Sequence, residues 1–294
     1  MSEMNINLDA EIRIWQEKLF TRSIRRHRKL DRITELTGKT TNLQCLEISA
    51  GDGIISASLR ALGGSWKTAV STETAAFSLN HSINEPITLV ENGTLPFEEH
   101  LFDRVIIVDA LKGITDDCEF IHECHRVLKN DGWVIISEKR RAPLSLVALL
   151  QRAFDISPIA KGQRRNGYKV GELFHILKDG FDVPETIAYS NGLLESATTI
   201  GEVIQKSLFQ DYYWVVKKKA AKDLLYRYRR LYSLAGFAYP LLWIFSKMEF
   251  LPGHQLLVKS RRRHWRPRLQ PKLIDGRSIA EAAINTKIGT AAPF

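Results

Sequence analysis

Between residues 44 and 137, short apolar runs alternate with stretches of helical periodicity, and this alternation restricts the fold more than any other feature of the chain. The runs 44–49, 65–71, 87–91, 104–108 and 132–137 read as strands, with helices fitting at 54–62, 73–79 and 115–128. Strands that take turns with helices predict a mostly parallel sheet covered on both faces. Beyond it, a long irregular stretch leads to a helix at 169–178 and two more strands at 183–189 and 254–259. The interval between those two strands looks helical from 198 to 245 and reads as an insertion. Residues 8–36 read as one helix ended by Gly38, so that 1–40 forms an N-terminal helical cap, 41–268 the main domain with 191–252 inserted, and 269–294 a loosely held tail.

The first strand ends in Cys45-Leu46-Glu47-Ile48-Ser49-Ala50-Gly51-Asp52-Gly53, a buried run followed by a turn of small residues and then a helix. Such a turn lets backbone approach a ligand at the carboxyl end of a strand, where open parallel sheets place their sites. Small-residue turns are common, and the downstream company makes this one specific. Leu95-Pro96-Phe97-Glu98-Glu99-His100-Leu101-Phe102-Asp103-Arg104 runs on into Val105-Ile106-Ile107-Val108-Asp109-Ala110-Leu111. His125-Arg126-Val127-Leu128-Lys129-Asn130-Asp131-Gly132-Trp133-Val134-Ile135-Ile136 follows in order. Over roughly 36–190 plus 254–259, the chain resembles the class I S-adenosylmethionine (SAM) dependent methyltransferases, in particular the bacterial type 11 family.

That resemblance implies an α/β, Rossmann-like fold: a seven-stranded sheet in the order 3-2-1-4-5-7-6 with the last strand antiparallel. It also implies SAM as cofactor across the ends of the first strands. Carried over by position, Glu47, Ser49, Gly51 and Gly53 match the motif that cradles the methionine part. Glu91 and Asn92 match the pair that meets the adenine, and Asp109, Ala110 and Leu111 border the methyl donor. Three departures stand out. Ser49 replaces the family's first glycine. Val70-Ser71-Thr72 lacks the acid that grips the ribose, leaving Glu73 two residues late as its substitute. Leu111-Lys112-Gly113-Ile114 stands where relatives often carry a Glu-His pair. A carboxylate accepting from a hydroxyl contributes about 1.5–3 kcal/mol, so a lost ribose grip weakens SAM binding by roughly 10- to 100-fold.

Methyl transfer from a sulfonium needs alignment more than a base. For a hydroxyl acceptor a base would help, and Asp109, His100 and His175 are the candidates. Cys118, His122 and His125 share one face of a predicted helix, with Cys124 beside them, but the apolar positions around them read as core and no metal is expected. No Asn-Pro-Pro-Tyr type motif follows the fourth strand, which weighs against methylation of nucleic acid bases.

Charge separates the C-terminal region from the rest. The chain carries +9, yet residues 217–268 alone hold fourteen Lys and Arg against two acids, +12, leaving −3 elsewhere. Within that window 231–246 is uncharged and apolar but interrupted by Pro240, and at about 24 Å as a helix it is too short to span a membrane. The insertion therefore has three readings: a cap over the acceptor pocket, a helix lying on an anionic membrane, or an RNA-binding surface. Three cysteines and an N-terminus without a secretion pattern point to the cytoplasm, and the basic insertion adds the reading of peripheral membrane attachment. The leading expectation is methyl transfer from SAM to an oxygen of a small molecule, lipid or glycan precursor. The acceptor would lie between the N-terminal helix, 140–167 and the insertion. Its rivals are a non-catalytic methyltransferase-like protein docking on a membrane or partner through the basic region, and an RNA methyltransferase.

Overall fold

The protein is described by a computed structural model covering residues 2–80, 82–83, 85–90, 93–209, 221–248 and 252–264. Seven strands, β1 (Gln44–Ser49), β2 (Ser65–Val70), β3 (Ile87–Leu89), β4 (Phe102–Val108), β5 (Leu128–Lys139), β6 (Phe181–Asn191) and β7 (Gly253–Arg262), form one sheet in the order 3-2-1-4-5-7-6. This is the class I methyltransferase sheet. β1 to β5 pair in parallel, and β7 runs antiparallel to both β5 and β6.

The central strands are nearly all apolar because both faces are covered. On one face Leu46, Ile48, Val105 and Ile107 pack against α5 (Asp117–Val127) and α7 (Val170–Leu177). On the other, Cys45, Ile106, Val108 and Ile135 meet α2 (Ile24–Thr37) and α3 (Gly53–Arg60). α4 (Glu73–Asn80) follows β2.

The N-terminal segment is two helices, not one: α1 (Ser2–Thr21) and α2 part at Ser23, whose φ of −98° and ψ of 88° leave the helical path. A short helix, α6 (Leu146–Ala153), lies inside the stretch that reads as irregular. The insertion contains α8 (Gly192–Phe209) and α9 (Ala221–Ser246), while 269–294 lies outside the described residues. No described helix is long and apolar enough to cross a membrane.

Because β7 reverses direction, β6 runs parallel to β1, β4 and β5. It therefore finishes at the same sheet edge as they do. Asn191 at that end pairs with Gly253 at the start of β7, so the insertion leaves from and returns to the edge where parallel sheets place their sites.

Candidate active site

At that edge Ser49 lies level with Val70 on one side and Val108 on the other. The turn after β1 continues the ladder for one residue, with the Ala50 N–H donating to the Val108 carbonyl at 3.1 Å. Gly51 then takes φ +104°, and a Cβ there would stand 3.1 Å from the Ala75 Cα of α4. Conformation and close approach both demand glycine. Ser49 uses its extra side chain locally, its Oγ accepting from the Gly51 N–H at 3.2 Å. A Cβ on Gly53 would collide with the Ser82 Oγ at 2.1 Å. Asp52 opens α3 as its cap, accepting from the Ile55 N–H at 3.4 Å. Ala50, at the apex, is exposed.

Glu47 stands two residues inside this edge and shares a side-chain hydrogen bond with Ser49. Strand alternation turns it onto α3, where it is wholly buried and accepts from Ser56 Oγ at 2.5 Å and Arg60 Nη1 at 2.6 Å. Burial raises its pKa, against the opposing pull of Arg60 and Ser56. Its work is to hold α3 to β1.

β4 ends at Asp109, in the left-handed region at φ +55°, with its N–H bonded to the Ser137 carbonyl at 2.9 Å. The half-exposed carboxylate pairs with the Lys29 ammonium of α2 and with that of Lys112 at 3.3 Å. Burial pushes this carboxyl up, but Lys112 and Lys29 outweigh it and hold it well below the ordinary carboxylate range. Glu138, buried one strand over, accepts from the Leu111 N–H at 2.7 Å and pairs with Lys112 at 3.3 Å. Ala110 and Leu111 turn their side chains into the core, so only their backbone borders the edge. Arg26, three residues before Lys29, bonds both oxygens of Asp52 at 2.8 and 2.5 Å. One helix thus brings two cations onto the carboxylates that follow β1 and β4.

Sequence reasoning missed Arg26, Lys29 and Glu138 in this arrangement. The one available signal was their charge on apolar-patterned elements.

Other expected residues fall elsewhere. Glu73 is exposed in the first turn of α4, whose Ala75 N–H is capped by Thr72 Oγ1 at 3.2 Å, and β2 is followed by Ser71 and Thr72 without an acid. Glu91 and Asn92 lie outside the described residues. His100 precedes β4 and so sits at the opposite edge, a strand length of about 20 Å away, bonded to Arg262 Nη1 at 2.9 Å. It cannot serve as the base. His175 is exposed on α7. Of the thiols and imidazoles on α5, Cys124 is buried and His125 stacks on Phe181 and meets the Arg263 carbonyl at 3.2 Å.

Ion pairs bring together the three segments expected around the acceptor. Arg25 of α2 reaches Glu195 and Glu202 of α8 at 3.5 and 3.3 Å, and Lys161 meets Glu202 at 2.9 Å. Lys139, at the end of β5, donates to Gln151 Oε1 of α6 at 2.5 Å, and burial lowers its pKa to about 8.

These groups fit the methionine part of SAM in kind. The open turn at Ala50 offers backbone, Asp52 matches an ammonium and Arg26 matches a carboxylate. Among the described residues, no acid directly follows β2, where the family's ribose contact would stand.

Comparison with known proteins agrees. A methyltransferase domain of the type 11 family matches residues 46–136. A ubiquinone biosynthesis O-methyltransferase from Nitrosomonas europaea is 25% identical over 177 residues, 57% of this chain and 71% of that protein. Among solved structures, a sarcosine dimethylglycine methyltransferase from Galdieria sulphuraria superposes with a TM-score of 0.51 at 13% identity, covering 82% of this chain and 86% of that one. The [4+2]-cyclase SpnF superposes at 0.52 and 14%, covering 80% of each, and shares the fold alone. With its turn after β1, its 3-2-1-4-5-7-6 sheet and this domain match, the chain carries a class I SAM-dependent methyltransferase domain matched over residues 46–136.

Proposed function

We propose that the protein moves a methyl group from SAM to a hydroxyl oxygen of a small molecule, lipid or glycan precursor, in the cytoplasm and at a membrane surface. The observation that carries the choice of oxygen is the pair of ammonium groups, Lys29 and Lys112, flanking Asp109 beside the cofactor turn. SAM supplies a methyl on a positively charged sulfur. Transfer to a hydroxyl breaks the S–CH3 bond, forms O–CH3 with the oxygen lone pair, leaves a neutral thioether and releases the hydroxyl proton, so the acceptor oxygen reacts best once that proton is shed. Lys29 and Lys112 favour the deprotonated form of a hydroxyl bound beside them, which is the better nucleophile. Asp109, held far below the ordinary carboxylate range, is a weak base; it accepts the hydroxyl hydrogen bond and orients the oxygen, while the proton leaves to water. The O-methyltransferase similar to this chain supports the reading.

Calorimetric titration with S-adenosylhomocysteine tests the cofactor half. Binding is expected in the parent and lost in Gly51→Arg, which adds bulk beside Ala75. Mass spectrometry of single-turnover products from matched phenols, alcohols and amines tests the acceptor half. O-methyl products that fall at least about tenfold in Lys112→Met support the proposal, and N-methyl products alone would overturn it.

A further inference from the structure

α9 packs on one side against α1, with Tyr228 buried and Trp15 meeting Tyr232, and leaves an apolar face exposed on the other. Its inward side makes polar contacts: Gln16 donates to the Tyr228 hydroxyl at 3.3 Å, and Arg22 donates to the Tyr232 carbonyl at 3.0 Å while lying 3.7 Å over that ring. Near its end, Asn191 Nδ2 donates to the Phe245 and Met248 carbonyls at 2.7 and 3.0 Å. The outward side is apolar. Leu234, Phe237, Leu241 and Ile244 follow one another at spacings of three, four and three, which places them on a single helix face, and all four are exposed, Phe237 by 93%.

We infer that this face of α9 docks on an anionic lipid bilayer, lying in the plane of the headgroups with its four apolar side chains in the acyl boundary. Charge selects the occupant. Exposed Arg229 and Arg230 precede the stripe and exposed Lys247 follows it, in the window that carries +12 while the remainder of the chain carries −3. Apolar residues bracketed by cations suit an acidic interface, where each basic residue adds to the attraction. The geometry fits lying on the membrane rather than crossing it, since Leu234 to Ile244 extends only about 15 Å. Pro240, midway along, is exposed on the outer side, where the backbone bend it brings leaves the inner contacts in place. The insertion springs from the cofactor edge, so docking would set that edge beside the bilayer.

The test uses the full chain and vesicles of phosphatidylglycerol mixed with phosphatidylcholine, against phosphatidylcholine alone, in a sedimentation assay at low and high salt. Binding to the anionic vesicles that weakens with salt is expected. Phe237→Glu combined with Leu241→Glu should reduce partitioning at least about tenfold. Both side chains are exposed, so circular dichroism and S-adenosylhomocysteine affinity should match the parent; this separates failure of docking from failure of the methyltransferase reading. Lipids brominated on their chains should quench tryptophan emission in the parent and less in the double variant. Absence of vesicle binding by the parent, or equal binding by parent and variant, would overturn the inference. So would a concentration-dependent dimer, abolished by the double variant, in a chain that ignores vesicles: the stripe would then be covered by a second copy.

Discussion

A lysine at the end of a central strand gives the site a pH signature. Lys139 donates to the Gln151 amide, and burial lowers its pKa to about 8 from an ordinary 10.5. Between these values the unfolded chain binds more protons than the folded one, so stability rises as pH climbs through that window. Below pH 8 the folded protein bears the full cost of the buried charge. Lys139→Met should be more stable than the parent at neutral pH and lack the rise, as judged by urea midpoints across pH 7–11; parallel curves would refute the assignment. What single residues do was only partly legible. Asp109 follows from its place after a strand, and the His100 misplacement could have been avoided, since a residue before a parallel strand lies at the far edge. Lys29 and Arg26 could not be found, because their partners are 80 and 26 residues away and only the docking of α2 brings them together. The bonds of Glu47 to Ser56 and Arg60 were not legible, because motif matching does not say onto which helix a strand face looks.

Among elements, α3 and α2 share one carboxylate. Asp52 caps α3 and anchors Arg26, so Asp52→Ala should cost about 1–2 kcal/mol in chemical denaturation with an unchanged m-value. Asp52→Ser keeps a cap without the charge pair and should fall between. An Ala variant as stable as the parent would mean that neither bond matters. Strands β1, β4 and β5 were legible because a strand buried on both faces leaves an uninterrupted apolar run. The edge strand β3 is described over Ile87–Leu89, while the end of the reading at residue 91 lies outside the described residues. The break between α1 and α2 has no glycine or proline to announce it, and α6 is a helix of eight residues held by its contact with α8, a tertiary effect beyond local periodicity.

For the molecule as a whole, cofactor binding and folding are linked. S-adenosylhomocysteine at a hundred times its Kd should stabilise the parent by about 2.7 kcal/mol, and the gain should vanish in Gly51→Arg; thermal melts with and without the ligand measure it. An unchanged melting point in the parent would contradict a working cofactor edge. The sheet order was legible through the resemblance carried by the ordered motifs, whereas the way the insertion sits on the cofactor edge was not, because it depends on the direction of β6. That direction has an architectural consequence. Asn191 and Gly253 face each other across a ladder that could equally have been closed by a tight turn. α8 and α9 are accordingly a cassette with a single graft point. Such a piece leaves and re-enters the sheet at one ladder, so shortening or exchanging it would not rethread the strands.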